Sequence, residues 1–201
     1  VASTFVNPLR FPNAAAADAY PRTPDEDEEL LTSLGVDIVF APEASELLPD
    51  GANTTKVSAG DLGLRYEGRT RPFYFDGLLT VEAKLFGIVK PDVAVYGERD
   101  PQRIFLVRRM IRDLYFDVEV ATVETVRGDD GLPVSTRVGL LAAADLAAAA
   151  KLPLALDAAA SNGDRGVDSC IAAAQSALMG EPRIRLEYLS VVDPESFLPV
   201  D

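Results

Sequence analysis

Two short stretches combine cationic, hydroxyl and carboxylate side chains densely enough to do chemistry: Gly97-Glu98-Arg99-Asp100 and Val134-Ser135-Thr136-Arg137. Phosphate groups need cationic partners and backbone N–H groups, and residues of these types supply them. Taken alone, the first stretch is more often a solvated charged turn, and the second a helix cap or surface element. Phe73-Tyr74-Phe75 could stack on bases, but in a chain this acidic, core or pocket packing is the better reading. The acidic run at residues 25–29 reads as a solvated helix start and not as a metal cluster. No histidine occurs, so histidine acid/base catalysis and histidine metal sites are excluded within this chain. There is no Walker or G-x-G-x-x-G loop. The single cysteine, Cys170, lies among alanines in a helical pattern and reads as a small buried apolar residue.

The elements that must position these residues alternate. An apolar run at residues 1–6 predicts a strand, ended by Asn7-Pro8 because proline cannot continue a ladder. Residues 12–19 are alanine-rich and predict a loop or short helical turn. Thr23-Pro24-Asp25-Glu26 is a helix start, since Thr caps, Pro suits the first position and acids favour the positive dipole end. That helix is expected to reach residue 34 and stop at Gly35. A strand follows over 36–40, then a short helix near 44–48. Residues 50–71 predict a loop with a short strand near 55–57. Apolar residues at 78, 79, 81, 85, 86 and 89 have helical spacing and predict a helix over 76–89. A strand over 92–96 turns at residues 97–101 into a helix reaching about 114, and a strand follows over 116–123.

Strands alternating with such helices point to βαβ units and a parallel sheet. Ligands of such sheets bind beyond the carboxyl ends of the strands, and residues 7–11 and 97–103 are both strand-to-helix exits. After residue 126 the pattern changes. A turn at 127–131 precedes an Ala/Leu-rich helix over 140–160, with Pro153 as the expected kink or break. A helix over 167–179 and an alternating strand over 184–192 complete a smaller α+β unit.

With 201 residues the chain can bury a sizeable core as one large or two small domains. Its net charge of −13 argues against a nucleic-acid binder, which shows a basic face, and against binding to anionic membranes. No window approaches the ~20 apolar residues of a membrane span, and no secretory signal is expected from these residues. A lone cysteine fits a reducing cytoplasm. Val1 already lies in an apolar run, and Pro199-Val200-Asp201 follows directly on a strand-like run. Both ends are expected to be cuts.

The most specific feature is a set of short words in fixed order. They are Phe5-Val6-Asn7-Pro8, Asp18-Ala19-Tyr20-Pro21-Arg22-Thr23-Pro24, Leu48-Pro49-Asp50-Gly51, Arg71-Pro72 with Phe75, Gly97-Glu98-Arg99-Asp100, Thr125-Val126-Arg127, Asp130-Gly131-Leu132 and Ser135-Thr136-Arg137. Together, over essentially the whole chain, they resemble the pantothenate synthetase (pantoate–β-alanine ligase) family. The resemblance implies an α/β fold: a Rossmann-like parallel-sheet nucleotidyltransferase domain over residues 1–126, then a smaller α+β C-terminal lid over 127–201. It implies a cytoplasmic, homodimeric ligase. ATP, with Mg²⁺, activates the pantoate carboxylate as an acyl-adenylate, and the β-alanine amine displaces AMP.

By the resemblance, Gly97, Glu98, Arg99 and Asp100 form the nucleotide loop. Arg99 replaces a phosphate-contacting lysine, and Asp100 faces the ribose or Mg²⁺. Ser135 and Arg137, between Val134 and Thr136, touch the triphosphate, and the Val126 backbone contacts adenine. Arg99, Ser135 and Arg137 are the implied catalytic groups. Arg10, Arg103 and Tyr74 take the acid-binding positions, where the family usually has Gln, Gln and His. The family's His-x-Gly-His segment lies upstream of the strand that begins here. The Arg replacements leave two alternatives beside the ligase: a relative that adenylates another carboxylic acid, and a non-catalytic scaffold.

Overall fold

In a computed structural model of the chain, residues 1–51 and 54–200 are described. The chain divides into two compact units, Val1–Val95 with Leu106–Ala121, and Tyr96–Phe105 with Thr122–Asp201.

In the first unit, strand β1 (Ala2–Ser3) pairs in parallel with β2 (Val39–Phe40), in the register Ala2↔Val39 and Ser3↔Phe40. Both strands are shorter than the apolar runs predict. The Phe5 N–H turns back to the Ser3 Oγ, so it is unavailable to a ladder. Helix α1 (Ala14–Asp18) is the predicted short turn, capped by Asn13 accepting from the Ala16 N–H at 2.9 Å. Helix α2 (Pro24–Ser33) has Pro at its start and acids in its first turn, and Gly35 follows with φ +78°. Thr23 does not cap the backbone; its hydroxyl donates to Asp27 Oδ1 instead. Helix α3 (Ala44–Leu47) carries a reciprocal capping box between Glu43 and Glu46.

The segment at 50–71 departs from expectation. Its residues 52 and 53 lie outside the described residues. The strand expected near 55–57 is absent, because side chains of the next long helix take its N–H groups: Val57 N–H donates to Thr80 Oγ1 at 2.9 Å, and Ala59 N–H to Asp76 Oδ1 at 2.7 Å. A 3-10 turn over Gly60–Leu64 and helix α4 (Glu67–Thr70) occupy the rest. Helix α5 (Tyr74–Val89) starts two residues before the predicted point, directly after Phe73 in the left-handed region at φ +65°. Its buried face includes Phe75, Leu78, Leu79 and Val81. Phe75 and Leu79 are fully buried, each worth roughly 1.5–3 kcal/mol against exposure. The helix ends at Lys90, before Pro91.

Strands β3 (Val93–Gly97) and β4 (Glu119–Val123) form a second two-stranded sheet, and helix α6 (Pro101–Asp113) connects them in sequence. The Glu119 N–H donates to the Asp92 carbonyl at 2.9 Å, and the Glu98 N–H to the Val123 carbonyl at 3.0 Å. The partners advance together along the chain, as parallel pairing requires.

In the second unit, the predicted turn is a β-turn in which the Gly131 N–H donates to the Gly128 carbonyl, closed by a bridge between Arg127 and Pro133. Helix α7 (Thr136–Gly139) follows. The expected 140–160 helix is two helices, α8 (Ala143–Ala149) and α9 (Lys151–Ala160). The break falls at Ala150, so Pro153 sits in the first turn of α9, where its missing N–H costs no helix bond. Helix α10 (Val167–Leu178) packs on α9, with Ala155 and Ala174 buried and small enough to let them approach. Cys170 is buried, as predicted. The strand expected over 184–192 does not form among the described residues; only Val192 makes a bridge, to Pro199. Alternation gives an extended chain, but a strand also needs a partner edge.

Candidate active site

Of the predicted site residues, Arg10 and Tyr74 meet in the first unit. Buried Asn7 aims the turn that carries Arg10: its Nδ2 donates to the Gly77 carbonyl at 3.0 Å, and its Oδ1 accepts from the Leu9 N–H at 3.0 Å. A 3-10 turn over Pro8–Arg10 results, and Arg10 Nη2 donates to the Tyr74 phenol oxygen at 2.6 Å. Tyr74 is the first residue of α5 and is buried. Its ring is contacted by both guanidiniums, with Arg71 Cζ 4.0 Å and Arg10 Cζ 5.1 Å from its centroid. Arg71 donates to the Arg10 carbonyl and, at 2.9 Å, to Glu67 Oε1. Arg71 is thus tied down by a carboxylate. Arg10 has no carboxylate at ion-pair distance among the described residues, and its Nε is buried without a hydrogen-bond partner.

The remaining predicted residues lie in the second unit. Gly97 ends β3, and the next residue, Glu98, is held by two bonds: its N–H to the Val123 carbonyl, and its Oε1 accepting from Thr122 Oγ1 at 2.7 Å. Arg99 is exposed in the turn. Asp100 Oδ1 accepts from the Arg103 N–H at 3.0 Å, so the carboxylate serves as a cap for α6. The Arg103 guanidinium lies 4.9 Å from the Tyr96 ring centroid. Three residues beyond Val123, the Val126 carbonyl accepts from the Val134 N–H at 3.0 Å. That bond delivers Ser135, which caps α7 by accepting from the Val138 N–H at 3.4 Å. Thr136 and Arg137 stand exposed in the first turn of α7.

Two backbone hydrogen bonds, from the Glu98 N–H to the Val123 carbonyl and from the Val134 N–H to the Val126 carbonyl, tie the Gly97–Asp100 loop and the segment entering α7 to the two ends of the stretch 123–126. The two segments carry two exposed guanidiniums, hydroxyls and turn N–H groups, a set suited to polyphosphate. Among the described residues no group of three or more His, Cys, Asp or Glu is arranged to hold a metal. Asp100 offers a single carboxylate, which suits a Mg²⁺ that arrives largely coordinated by phosphates and water.

Reasoning from the sequence did not single out Asn7, Glu67 or Arg71 as individual groups. Asn7 and Arg71 were visible only inside the words Asn7-Pro8 and Arg71-Pro72. Nothing local in the sequence marks Glu67, which matters because α4 sets it one turn before Arg71.

Comparison with known proteins places these observations in a family. A family profile described as pantoate-beta-alanine ligase matches residues 1–200. The chain is 48% identical over 200 residues to a pantothenate synthetase of Leifsonia xyli subsp. xyli, covering 100% of this chain and 69% of that protein. It is 47% identical over 191 residues to that of Nocardia farcinica, covering 95% and 60%. The fold is similar to the crystal structure of pantothenate synthetase from Thermus thermophilus, at a TM-score of 0.92 and 41% identity over 98% of this chain and 72% of that one. It is also similar to a Francisella tularensis pantoate-beta-alanine ligase complexed with beta-gamma ATP and beta-alanine, at a TM-score of 0.73, 30% identity, 87% of this chain and 66% of that one. The chain spans between 60% and 69% of the length of the two curated relatives named.

Proposed function

Because the chain belongs to the pantoate-β-alanine ligase family, whose members are enzymes with an α/β nucleotidyltransferase-like fold, we propose that the protein carrying it condenses pantoate with β-alanine at the expense of ATP. The observation that carries this reading is the pair of backbone hydrogen bonds, Glu98 to Val123 and Val134 to Val126, that ties the Gly97–Asp100 loop and the segment leading to Ser135 to one stretch of chain. It gathers the residues suited to a triphosphate in one unit.

In this reading ATP is a substrate. Arg99, Ser135 and Arg137 engage its phosphates, the Gly97–Asp100 loop cradles them, the Val126 backbone meets the adenine, and Val134 and Thr136 complete the ATP-binding segment with Ser135 and Arg137. Asp100 holds the Mg²⁺ that accompanies the phosphates. A pantoate carboxylate oxygen attacks the α-phosphorus, the bond to the β-phosphate oxygen breaks, and pyrophosphate leaves. Guanidiniums aimed at the departing phosphates stabilise the charge that develops there. The β-alanine amine then attacks the acyl carbon, AMP leaves with the electron pair of the C–O bond, and the nitrogen loses a proton. Arg10, Tyr74 and Arg103 hold the acid and amine substrates. Residues 1–126 act as the nucleotide- and pantoate-binding domain, and 127–201 as a lid that keeps water from the adenylate. A cytoplasmic homodimer is part of the same reading.

The relatives named above are pantothenate synthetases, which favours neither a different acid nor a non-catalytic scaffold. The test is a steady-state assay of AMP and pantothenate release by the protein carrying this chain. Release that depends on ATP, pantoate and β-alanine together is expected. AMP release indifferent to pantoate contradicts the proposal.

A further inference from the structure

In the second unit the stretch after residue 190 folds back on itself without a glycine. Val192 bridges Pro199, the Asp193 N–H donates to the Leu198 carbonyl at 2.9 Å, and the Val200 N–H to the Val191 carbonyl at 3.1 Å. Asp193 Oδ1 fixes the tip of this hairpin. It accepts from the Glu195 N–H at 3.1 Å, the Ser196 N–H at 2.7 Å and the Ser196 hydroxyl at 2.8 Å. Phe197 is left in the left-handed region at φ +56°, its N–H donating to the Asp193 carbonyl at 2.8 Å. A bulky residue is strained there and a glycine is not. The Phe197 ring is nevertheless buried, and its centroid lies 5.2 Å from that of Phe105 in the second turn of α6. The hairpin, the Gly97–Asp100 loop and α6 as far as Phe105 all belong to this one compact unit. Asp100 joins the loop to the first turn of α6: its side chain accepts from the Arg103 N–H at 3.0 Å and its carbonyl from the Ile104 N–H at 3.3 Å. Where that first turn sits therefore decides where the loop sits.

We infer that Phe197 is a positioning residue for ATP: through Phe105 it holds the first turn of α6, and with it the Gly97–Asp100 loop, in the arrangement that meets the phosphates. This rests on the reading that the loop binds ATP. Strained non-glycine residues persist where the surrounding structure over-determines them, and they gather at ligand clamps. A hairpin with no task beyond its own fold would close more readily with glycine at position 197. What phenylalanine adds is the ring on Phe105. The loop is then fixed at both ends, by Glu98 on Val123 and Thr122, and by Asp100 on a helix turn that Phe197 holds. A loop already in place when its ligand arrives loses less freedom on binding.

The experiment is calorimetric titration of the protein carrying this chain with ATP and Mg²⁺, without acid, at a temperature well below melting. Phe197→Ala is expected to raise the dissociation constant by about 2- to 12-fold, the worth of one aromatic pair. Phe105→Ala is expected to do the same, and the double variant no more than either alone, because all three remove one contact. Phe197→Leu, which refills the space, is expected to restore most of the affinity. A merely structural contact lowers the melting temperature and leaves the ATP affinity of the folded protein where it was, so the dissociation constant decides. Where Phe197→Ala does not fold, Phe105→Ala, half-buried, carries the comparison. Unchanged ATP affinity in the folded alanine variants overturns the positioning role, as does a double variant whose loss is the product of the two single losses. If the unsubstituted protein makes pantothenate while the alanine variants bind ATP as it does, the positioning role falls and the proposed function stands. If it binds ATP in a Phe197-dependent manner but makes no pantothenate from pantoate and β-alanine, the positioning role stands and the proposed function falls. An unsubstituted protein that does not bind ATP overturns both.

Discussion

Arg10 donates to the Tyr74 phenol at 2.6 Å across 64 residues of sequence, joining the turn that leaves β1 to the first residue of α5. Two local features make the meeting possible. Asn7 bends the chain after β1, and the left-handed Phe73 swings α5 so that its first side chain faces the turn. Tyr74→Phe keeps the ring between the guanidiniums and removes only the oxygen. It is expected to raise the KM for the acid by about tenfold or more, the worth of one hydrogen bond to a charged group, with kcat little changed. An unchanged KM would detach the phenol from substrate binding.

Phe73 stores backbone strain at this entry. A left-handed conformation costs a non-glycine residue roughly 1–2 kcal/mol, and the Phe73 ring, 74% exposed, recovers little of that by burial. Phe73→Gly is expected to raise the unfolding free energy by about 0.5–1 kcal/mol in urea denaturation, net of the flexibility glycine adds to the unfolded chain. A lower stability would mean that the exposed ring makes contacts that outweigh the strain.

Gly77 is where α5 touches the Arg10 turn most closely. A Cβ there would meet the Leu9 Cβ at 2.6 Å and the Leu9 carbonyl oxygen at 2.9 Å. The backbone cannot yield without moving the Asn7 bond to the Gly77 carbonyl. Gly77→Ala is therefore expected to cost about 1–3 kcal/mol of stability and to weaken acid binding with it. A melting temperature equal to that of the unsubstituted protein contradicts the close approach.

The second unit offers a pH test away from the site. The Lys151 ammonium lies 3.0 Å from Glu181 Oε2, and it and the Arg183 N–H hold the Glu181 carboxyl below the usual carboxylate range. A lowered folded-state value means the unfolded chain binds the proton more readily. The stabilisation is then present above the ordinary glutamate range and lost as pH falls through the lowered value. An NMR titration of the Glu181 carboxyl is expected to show a depressed midpoint that moves up in Lys151→Ala. A midpoint unmoved by that substitution rules out the ammonium as the main cause.

Much of this was legible in the sequence because it rests on local rules. The Pro24 helix start and the spacing from Leu78 to Phe86 need only a few neighbouring residues. The family words placed Arg10, Tyr74, Arg99 and Arg137 as candidates, and the fold brings Arg10 and Tyr74 together. The failures involve distant partners. The expected strand near 55–57 lost the Val57 N–H to Thr80, and the alternating 184–192 run pairs only at its end, through the bridge between Val192 and Pro199. Pro153 signalled a break, but the chain placed it three residues after the break at Ala150, where a proline is tolerated. The Arg71–Glu67 support was hidden because a short helix had to form inside an expected loop before the two could meet.

Exchange of labelled pyrophosphate into ATP, measured without β-alanine on the protein carrying the chain, isolates the proposed activation of pantoate on ATP. Exchange is expected to require pantoate and to fall by about 10- to 1,000-fold in Arg137→Ala, the range for losing a charge-stabilising group at a developing anion. Folded protein that shows no pantoate-dependent exchange at saturating ATP and Mg²⁺ would contradict the proposal.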